Sequence, residues 1–351
     1  MDTLLVYGSY GYTGRLIARE AVSRGGSPVV AGRDRNRVAA QADALGVEGR
    51  AFDLDAAAEH VGEFDAVVHC AGPFVDTSDP MVDACLETGT DYLDLTGEFR
   101  VFDRLADRDA DAREAGVTLL PGVGFDVVPS DCLAAFLAER LPTADDLALG
   151  IAGSGSLSRG TALTAVEHLG TGGVVRRNGR LVRVPAAYDV REIDFGRGPT
   201  PAVTIPWGDV VTAYHSTGIE NVAVYAAASR RAIRALSAAD ALGWLLGSTP
   251  VKRALERLVE ARVDGPDEEE RERGSAVVWG AVTDGDRRVA ARLHTPDPYA
   301  LTADAAVSAA WRVLDDDVDA GFRTPSTAFG PEFALELDGV ERELLDPVGT
   351  A

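Results

Sequence analysis

The residues of this 351-residue chain best suited to chemistry stand at the ends of short apolar runs. Gly8-Ser9-Tyr10-Gly11-Tyr12-Thr13-Gly14 follows the run Thr3–Tyr7. It opens a stretch, Thr13–Arg24, that places Leu16, Ile17, Ala21 and Val22 on one helical face. Glycine at 8 allows a tight turn, and at 11 it lets the backbone approach a pyrophosphate. At 14 it lets the helix pack on the strand, while the helix N-terminus attracts the negative charge. The spacing is G-x-x-G-x-x-G and not G-x-G-x-x-G, but the strand–turn–helix context is the required one, so Gly8 to Gly14 is read as a dinucleotide cradle. The second run, Pro28–Ala31, has no acid at its tip to accept from a ribose 2′-hydroxyl. Arg33 follows instead, and a guanidinium suits a 2′-phosphate, so the cofactor expected is NADP(H). Arg35 and Arg37 read as a solvated helix face, and Asp53, after the third run, as a partner for the adenine amino group.

A bound nicotinamide supplies hydride, which leaves orientation, a dry pocket and a proton to the protein. Ala71-Gly72-Pro73-Phe74 would hold a rigid loop against the nicotinamide ribose, with Phe74 as an apolar wall; plain loop packing is the competing reading of Pro73 and Phe74. Candidate proton donors are Tyr92, Asp94, Glu98, Asp126 and His69, with Tyr214 and His215 further along. Helix capping competes for Asp94 and Glu98, and for Asp126 if a helix begins near Pro129. Thioester chemistry would need a cysteine after Pro121-Gly122, where Val123 stands. Cys132 falls in an apolar helical stretch and reads as buried. A Tyr-x-x-x-Lys pair is excluded, because Lys252 is the only lysine and Ser248 stands four residues before it. The five histidines show no metal spacing, so no metal site is expected.

Elements of two kinds must position these groups. Up to residue 120, apolar runs (Thr3–Tyr7, Pro28–Ala31, Arg50–Phe52, Ala66–Cys70, Tyr92–Leu95, Val117–Leu120) alternate with helical stretches. The helices are expected at 13–24, Arg35–Ala44, Pro80–Glu87, Arg100–Ala115 and Pro129–Arg140. That alternation predicts a Rossmann-type, doubly wound parallel sheet. After about residue 145 longer strands dominate: 147–152, 180–184, 200–205, 221–227, 275–283 and 288–294. Helices are expected near 161–169, 230–262 and 300–314. This predicts a second, α+β domain with a mostly antiparallel sheet. Arg176-Arg177-Asn178-Gly179-Arg180 reads as a hairpin turn, and with Arg159 it holds the dense basic group of that domain. Trp207, Tyr214, Tyr225 and Trp279 give the expected pocket an aromatic, apolar lining.

The composition fixes the class and bounds the partners. With 46% hydrophobic and 26% charged residues the chain is globular. Its length is enough to bury a core without disulfides, and Cys70, Cys85 and Cys132 form no disulfide framework. Lys+Arg 34 against Asp+Glu 56 gives −22, which excludes a nucleic-acid partner and a basic lipid-docking patch. The carboxylate excess suggests a halophilic cytoplasm, where salt screens self-repulsion. No apolar run is long enough to span a membrane, and the start enters a strand at once with no basic flank, so a cytoplasmic location is expected. The stretch Ala241–Gly247 is apolar and reads as a buried helix or a peripheral membrane or partner contact. A homodimer stays open.

Further blocks carry a resemblance. These are His69-Cys70-Ala71-Gly72-Pro73-Phe74, Tyr92-Leu93-Asp94-Leu95-Thr96-Gly97-Glu98 and Pro121-Gly122-Val123-Gly124-Phe125-Asp126 with Val127–Asp131. Later come Pro206-Trp207-Gly208-Asp209 and Ser216-Thr217-Gly218-Ile219. With the GSYGYTG start, the acidic run 264–273 and the TPSTAFGP tail, they resemble the saccharopine dehydrogenase-like oxidoreductases, in particular the trans-acting enoyl reductase branch. The resemblance implies an NADP(H)-binding Rossmann domain (1–128), a second domain over its open edge (129–319) and a tail (320–351) returning to the first. It implies reduction of a C=C or C=N bond of a small, apolar, lipid-like or isoprenoid-like molecule. Two alternatives remain: a saccharopine reductase-type amino-acid enzyme, whose substrate carboxylates call for clustered cations, and an NADP-binding interaction protein without turnover.

Overall fold

A computed structural model describes residues 3–154, 172–241, 249–262, 265–315 and 318–345. By internal contacts they divide into two units, Met1–Val128 with Tyr299–Asp338, and Pro129–Pro298 with Gly339–Ala351.

In the first unit, strands β1 (Leu4–Tyr7), β2 (Val29–Gly32), β3 (Gly49–Ala51), β4 (Ala66–His69), β5 (Asp91–Asp94) and β6 (Thr118–Leu120) alternate with helices. These are α1 (Tyr12–Ser23), α2 (Arg35–Leu45), α3 (Ala58–Val61), α4 (Phe74–Thr88), α5 (Phe99–Ala106) and α6 (Asp109–Ala115). The spatial order is 3-2-1-4-5-6, every pair is parallel, and a seventh strand, Gly321–Phe322, lies beside β6. Strands buried on both faces read as continuous apolar runs, and β1 and β4 are buried at every position. The order reverses between β1 and β4, which opens a crevice at their carboxyl ends.

Two helices depart from the sequence reading. α4 begins at Phe74, six residues before the expected Pro80, which lies inside the helix. The expected helix 100–115 breaks after Ala106, where Arg108 turns to pair with Asp83 at 2.9 Å and Asp111 at 2.8 Å.

The second unit holds a nine-stranded, mostly antiparallel sheet. Asn221–Ala227 and Asp146–Ser154 run parallel at its centre. Pro199–Thr204 and Val190–Asp194 extend one side, and Ser275–Thr283, Arg288–Pro296 and Glu341–Leu345 the other. α7 (Val128–Arg140) lays Leu133 and Leu137 against Gly280. Gly173–Arg177 and Arg180–Val184 form the expected hairpin, with Asn178 and Gly179 both at positive φ, as a two-residue turn requires. The sequence reading has the hairpin turn but does not delimit its first strand, and it lacks Val190–Asp194, Glu341–Leu345 and the helix Asp209–Thr217. Val190–Asp194 shows why: Ile193 is its one buried residue, so the strand has no apolar alternation.

The helix Pro298–Leu314, expected in the second domain, belongs from Tyr299 onward to the first unit. Trp311 packs against Gly26, and Asp304 takes Arg24 at 2.5 Å. The tail is divided, since Gly321–Phe322 extends the first sheet and Glu341–Leu345 the second. Arg159, His168, the expected helix 161–169 and nearly all of the apolar stretch 241–247 lie outside the described residues. Among the described residues no helix is long and apolar enough to cross a membrane.

Candidate active site

The phosphate loop is held by backbone bonds to the neighbouring strand. The N–H groups of Gly8 and Ser9 both donate to the Ala31 carbonyl, at 2.8 and 3.1 Å, and Gly11 N–H closes a turn onto Gly8 O. Gly8 has φ +77°, and a Cβ there would stand 2.7 Å from Ala71 N, where the loops after β1 and β4 meet at the switch point. Ser9 is fully buried, and its hydroxyl donates to the Gln41 side-chain oxygen (2.7 Å) while Gln41 Nε2 donates back to Ser9 O (3.0 Å). The sequence places Ser9 on the cofactor, but its donors are committed inward and it holds the turn. Gln41 is the partner the sequence reading missed. Gly11 caps α1 without any side-chain bond, so Tyr12, Thr13 and Gly14 begin a helix whose N-terminus suits an anion.

Arg33 is exposed directly after the β2 tip. Asp34, the acid beside it, accepts from Asn36 N and Arg37 N and so caps α2. Arg37 is more than solvated: its guanidinium lies over the Tyr10 ring (4.3 Å) and donates to Tyr10 O, while the Tyr10 hydroxyl accepts from Asp34 N–H. Asp53 accepts from Leu54 N at 2.8 Å and starts a short 3₁₀ turn.

The loop after β4 leads through exposed Gly72 and Pro73 into α4. The nearest atom to a Cβ on Gly72 would be in the Phe74 ring, 3.6 Å away, which is ordinary contact. The exposed backbone at Gly72 suits the close approach of a flat ligand. The start of α4 is held from afar, because the Glu98 carboxylate accepts from Phe74 N (3.0 Å) and Val75 N (3.1 Å). An anion across a helix N-terminus satisfies orphan donors and meets the positive end of the dipole. Glu98 is therefore committed to positioning the Gly72–Phe74 loop, and this bond, not Pro80, sets where α4 begins.

Asp94 is fully buried and stitches three segments together. It accepts from Thr96 N (2.9 Å), Gly122 N (2.9 Å) and the Tyr92 hydroxyl (2.8 Å). Burial pushes its carboxyl up to about 6, while those three bonds pull it down. Burial and the Asp94 charge push the Tyr92 phenol well above its ordinary value, so Tyr92 is a poor acid. His69 is buried among Tyr7, Phe74 and Tyr92. Thr77 Oγ1 donates to Ala71 O at 2.6 Å, so it accepts from His69 Nε2 at 3.1 Å, which places the ring proton on Nε2. Burial lowers the ring to about 3, so it stays neutral.

Asp126 differs from these. It is half-buried, and its carboxyl lies against Gly97, where a Cβ would stand 2.8 Å from Oδ2. Burial pushes it up to about 6. The bonds that anchor its loop include Gly122 N on the Asp94 carboxylate, Val123 N on the Asp94 carbonyl (2.8 Å) and Phe125 N on the Thr302 hydroxyl (3.0 Å). Sequence reasoning missed Thr302 and also Tyr299, whose ring meets the Tyr12 ring edge-on at 5.0 Å. Asp297-Pro298 is the sequence signal that marks where their helix begins.

The remaining candidates lie in the second unit. Tyr214 is on the helix Asp209–Thr217 with the Arg176 guanidinium 4.2 Å over its ring. Arg176, expected in a hairpin turn, is buried and donates to Val210 O and Gly179 O. Tyr225 and Trp279, expected in a pocket lining, are buried in the apolar cluster on one face of the sheet. Cys85 and Cys132 are buried. Among the described residues no group of three His, Cys, Asp or Glu could hold a metal ion.

Comparison with known proteins agrees with this geometry. The saccharopine dehydrogenase NADP-binding domain matches residues 4–120. A trans-acting enoyl reductase from Mycobacterium ulcerans is 26% identical over 366 residues, covering 86% of each chain. Shorter matches are stronger in identity: a trans-acting enoyl reductase from Mycobacterium leprae is 32% identical over 139 residues, 36% of this chain and 33% of that protein. In such matches the chain spans about a third of the length of the relative. The fold of saccharopine dehydrogenase (L-Glu forming) from Saccharomyces cerevisiae covers 99% of this chain and 100% of that one, with a TM-score of 0.67 at 13% identity. The parallel sheet with its glycine cradle at the switch point thus matches the saccharopine dehydrogenase NADP-binding domain over residues 4–120, and the chain as a whole is similar in sequence to a trans-acting enoyl reductase and in fold to a saccharopine dehydrogenase.

Proposed function

We propose that the protein is an NADP(H)-dependent oxidoreductase that reduces a C=C or C=N bond of a lipid-like or isoprenoid-like substrate, with Asp126 as the proton donor. The observation that carries this reading is the place of Asp126 at the strand ends: its half-buried carboxyl lies against Gly97, in a loop held from Asp94 and Thr302, and burial pushes it up to about 6. Asp34, Asp53, Asp94 and Glu98 accept from backbone N–H groups and hold the neighbouring turns and helix starts. A general acid near its own pKa holds the proton in part of the population and can also release it.

The Gly8–Gly14 cradle fits a pyrophosphate, Arg33 a 2′-phosphate, and the open face of Gly72 and Pro73 a nicotinamide ribose; when bound, the cofactor supplies hydride. Glu98 fixes the Gly72–Phe74 loop, and Phe74 and buried His69 keep water from its inner side. Asp126 delivers a proton to the atom left electron-rich after hydride arrives and takes one back from solvent. The commitment of Arg176 to backbone carbonyls removes it from any carboxylate clamp, which favours an apolar substrate over an amino-acid conjugate.

The test is NADPH oxidation against a panel of enoyl thioesters, isoprenoid enones and cyclic imines. Turnover with at least one acceptor, reduced about a hundredfold in Asp126→Asn with NADPH binding retained, is the expected result. Full turnover in Asp126→Asn removes the assignment. A bound cofactor that no acceptor oxidises, together with a protein that co-purifies, favours the interaction-protein reading.

A further inference from the structure

The loop that carries Asp126 and the helix that opens the phosphate cradle are far apart in sequence, yet one turn of a third segment touches both. Tyr299 and Thr302 stand three residues apart near the start of the helix Pro298–Leu314, a spacing that puts them on one helical face. Tyr299 meets the ring of Tyr12, the first residue of α1, edge-on: the centroids are 5.0 Å apart and the planes at 82°. Thr302 Oγ1 accepts from Phe125 N–H at 3.0 Å, next to Asp126. Its methyl fits where Gly124 has no side chain, since a Cβ on Gly124 would stand 3.0 Å from Thr302 Cγ2. Thr302 is almost fully buried, so its hydroxyl has no water to take over that bond.

We infer that Tyr299 and Thr302 are positioning residues of the candidate site: Thr302 sets the loop that presents Asp126, and Tyr299 sets the first turn of the phosphate-binding helix. The inference rests on the proposed roles of Asp126 and the glycine cradle.

The chemistry separates the two contacts. The Tyr299 contact is ring against ring and needs no hydroxyl, so phenylalanine preserves it and leucine does not. The Thr302 contact is a hydroxyl on a buried N–H. Valine keeps the shape and removes the acceptor, whereas serine keeps the acceptor and removes the methyl. A residue that only fills space shows the opposite order, with valine tolerated and serine not.

Four single variants decide it: Tyr299→Phe, Tyr299→Leu, Thr302→Ser and Thr302→Val, with Asp126→Asn as the control. NADPH affinity is read by fluorescence titration, turnover with the acceptor found in the panel, and amide exchange at Phe125 by mass spectrometry without substrate. Tyr299→Leu weakens NADPH binding about fivefold and Tyr299→Phe leaves it within about twofold. Thr302→Val lowers kcat about tenfold with KM and NADPH affinity unchanged and with faster exchange at Phe125; Thr302→Ser keeps both kcat and exchange at their wild-type values. Wild-type NADPH affinity in Tyr299→Leu, or equal behaviour of Thr302→Val and Thr302→Ser in both kcat and exchange, overturns the inference. If Asp126→Asn keeps full turnover, the proton-donor reading fails while the Tyr299 affinities and the Phe125 exchange still judge the positioning roles. If Thr302→Val does not fold, Thr302→Ser decides: wild-type kcat and exchange support the hydroxyl role, and losses in both refute it.

Discussion

Replacing Asp126 with asparagine separates chemistry from architecture, because its effect on stability has a sign that depends on pH. Burial pushes the Asp126 carboxyl up to about 6 from an ordinary 3.8. Above about pH 6 the group is charged in folded and unfolded chains alike, and only the folded chain bears the desolvation penalty; below about pH 4 it is protonated in both and the penalty vanishes. A rise from 3.8 to about 6 corresponds to roughly 3 kcal/mol, and the water that still reaches a half-buried carboxyl reduces this to about 1.5–3 kcal/mol. Asparagine fills the same space beside Gly97 without the charge. Asp126→Asn therefore melts above wild type at about pH 8, by roughly 3–10 °C, and with wild type at about pH 4. Thermal melts followed by circular dichroism across that range read the difference. A variant that melts at or below wild type at the alkaline end shows that bonds in the fold hold the Asp126 charge. The residue is then a cap and not an acid.

The other expectations concern cofactor, cap and salt. NADPH binds at least roughly tenfold more tightly than NADH, since Arg33 offers a guanidinium and no acid stands at the β2 tip; calorimetric titration of both cofactors against wild type and Arg33→Ala reads this, and equal wild-type affinities remove the assignment. Glu98→Ala strips two half-buried N–H groups of α4 of their acceptor and lowers stability by about 1–3 kcal/mol, while Glu98→Gln recovers part of the loss. Urea unfolding of both variants measures it, and an unchanged midpoint in Glu98→Ala contradicts the capping role. With a net charge of −22, the melting temperature rises with KCl into the molar range; a flat profile from dilute buffer upward refutes the halophilic reading.

The sequence shows the first sheet clearly because its strands are buried on both faces. Leu4-Leu5-Val6-Tyr7 and Ala66-Val67-Val68 are apolar at every position and flanked by turn residues. The glycine cradle is legible for a related reason, since Gly8 must adopt positive φ against Ala71 and no other residue does so cheaply. Pro80 misled the placement of α4, because a proline at a helix start is favourable only where nothing else fixes that start. Glu98 fixes it from 24 residues away. Thr302 reaches Phe125 across 177 residues, and no local pattern announces such a bond. In the second unit, Arg176 reads as part of a hairpin turn, yet it is buried, because its neighbour in space is the helix Asp209–Thr217, which the sequence reading does not contain.

The crowding of acids at one edge of the parallel sheet has a physical cause that also explains why their roles are hard to read. Every strand there runs into a helix or turn whose first N–H groups lack partners, and carboxylates satisfy them well. The same edge is where ligands of an open parallel sheet bind. An acid in these loops therefore has two competing uses, and its residue type does not distinguish them. Offset settles the near cases: Asp34 serves N–H groups two and three residues ahead, and Asp53 the next one. Burial bears on the distant ones. Asp94 and Asp126 are both raised to about 6 by burial, and at Asp94 three hydrogen bonds act against that rise. A carboxylate held by bonds to its charged form gains by keeping that charge. One in which burial prevails gains by taking up a proton, and that is the behaviour the proposed role of Asp126 requires.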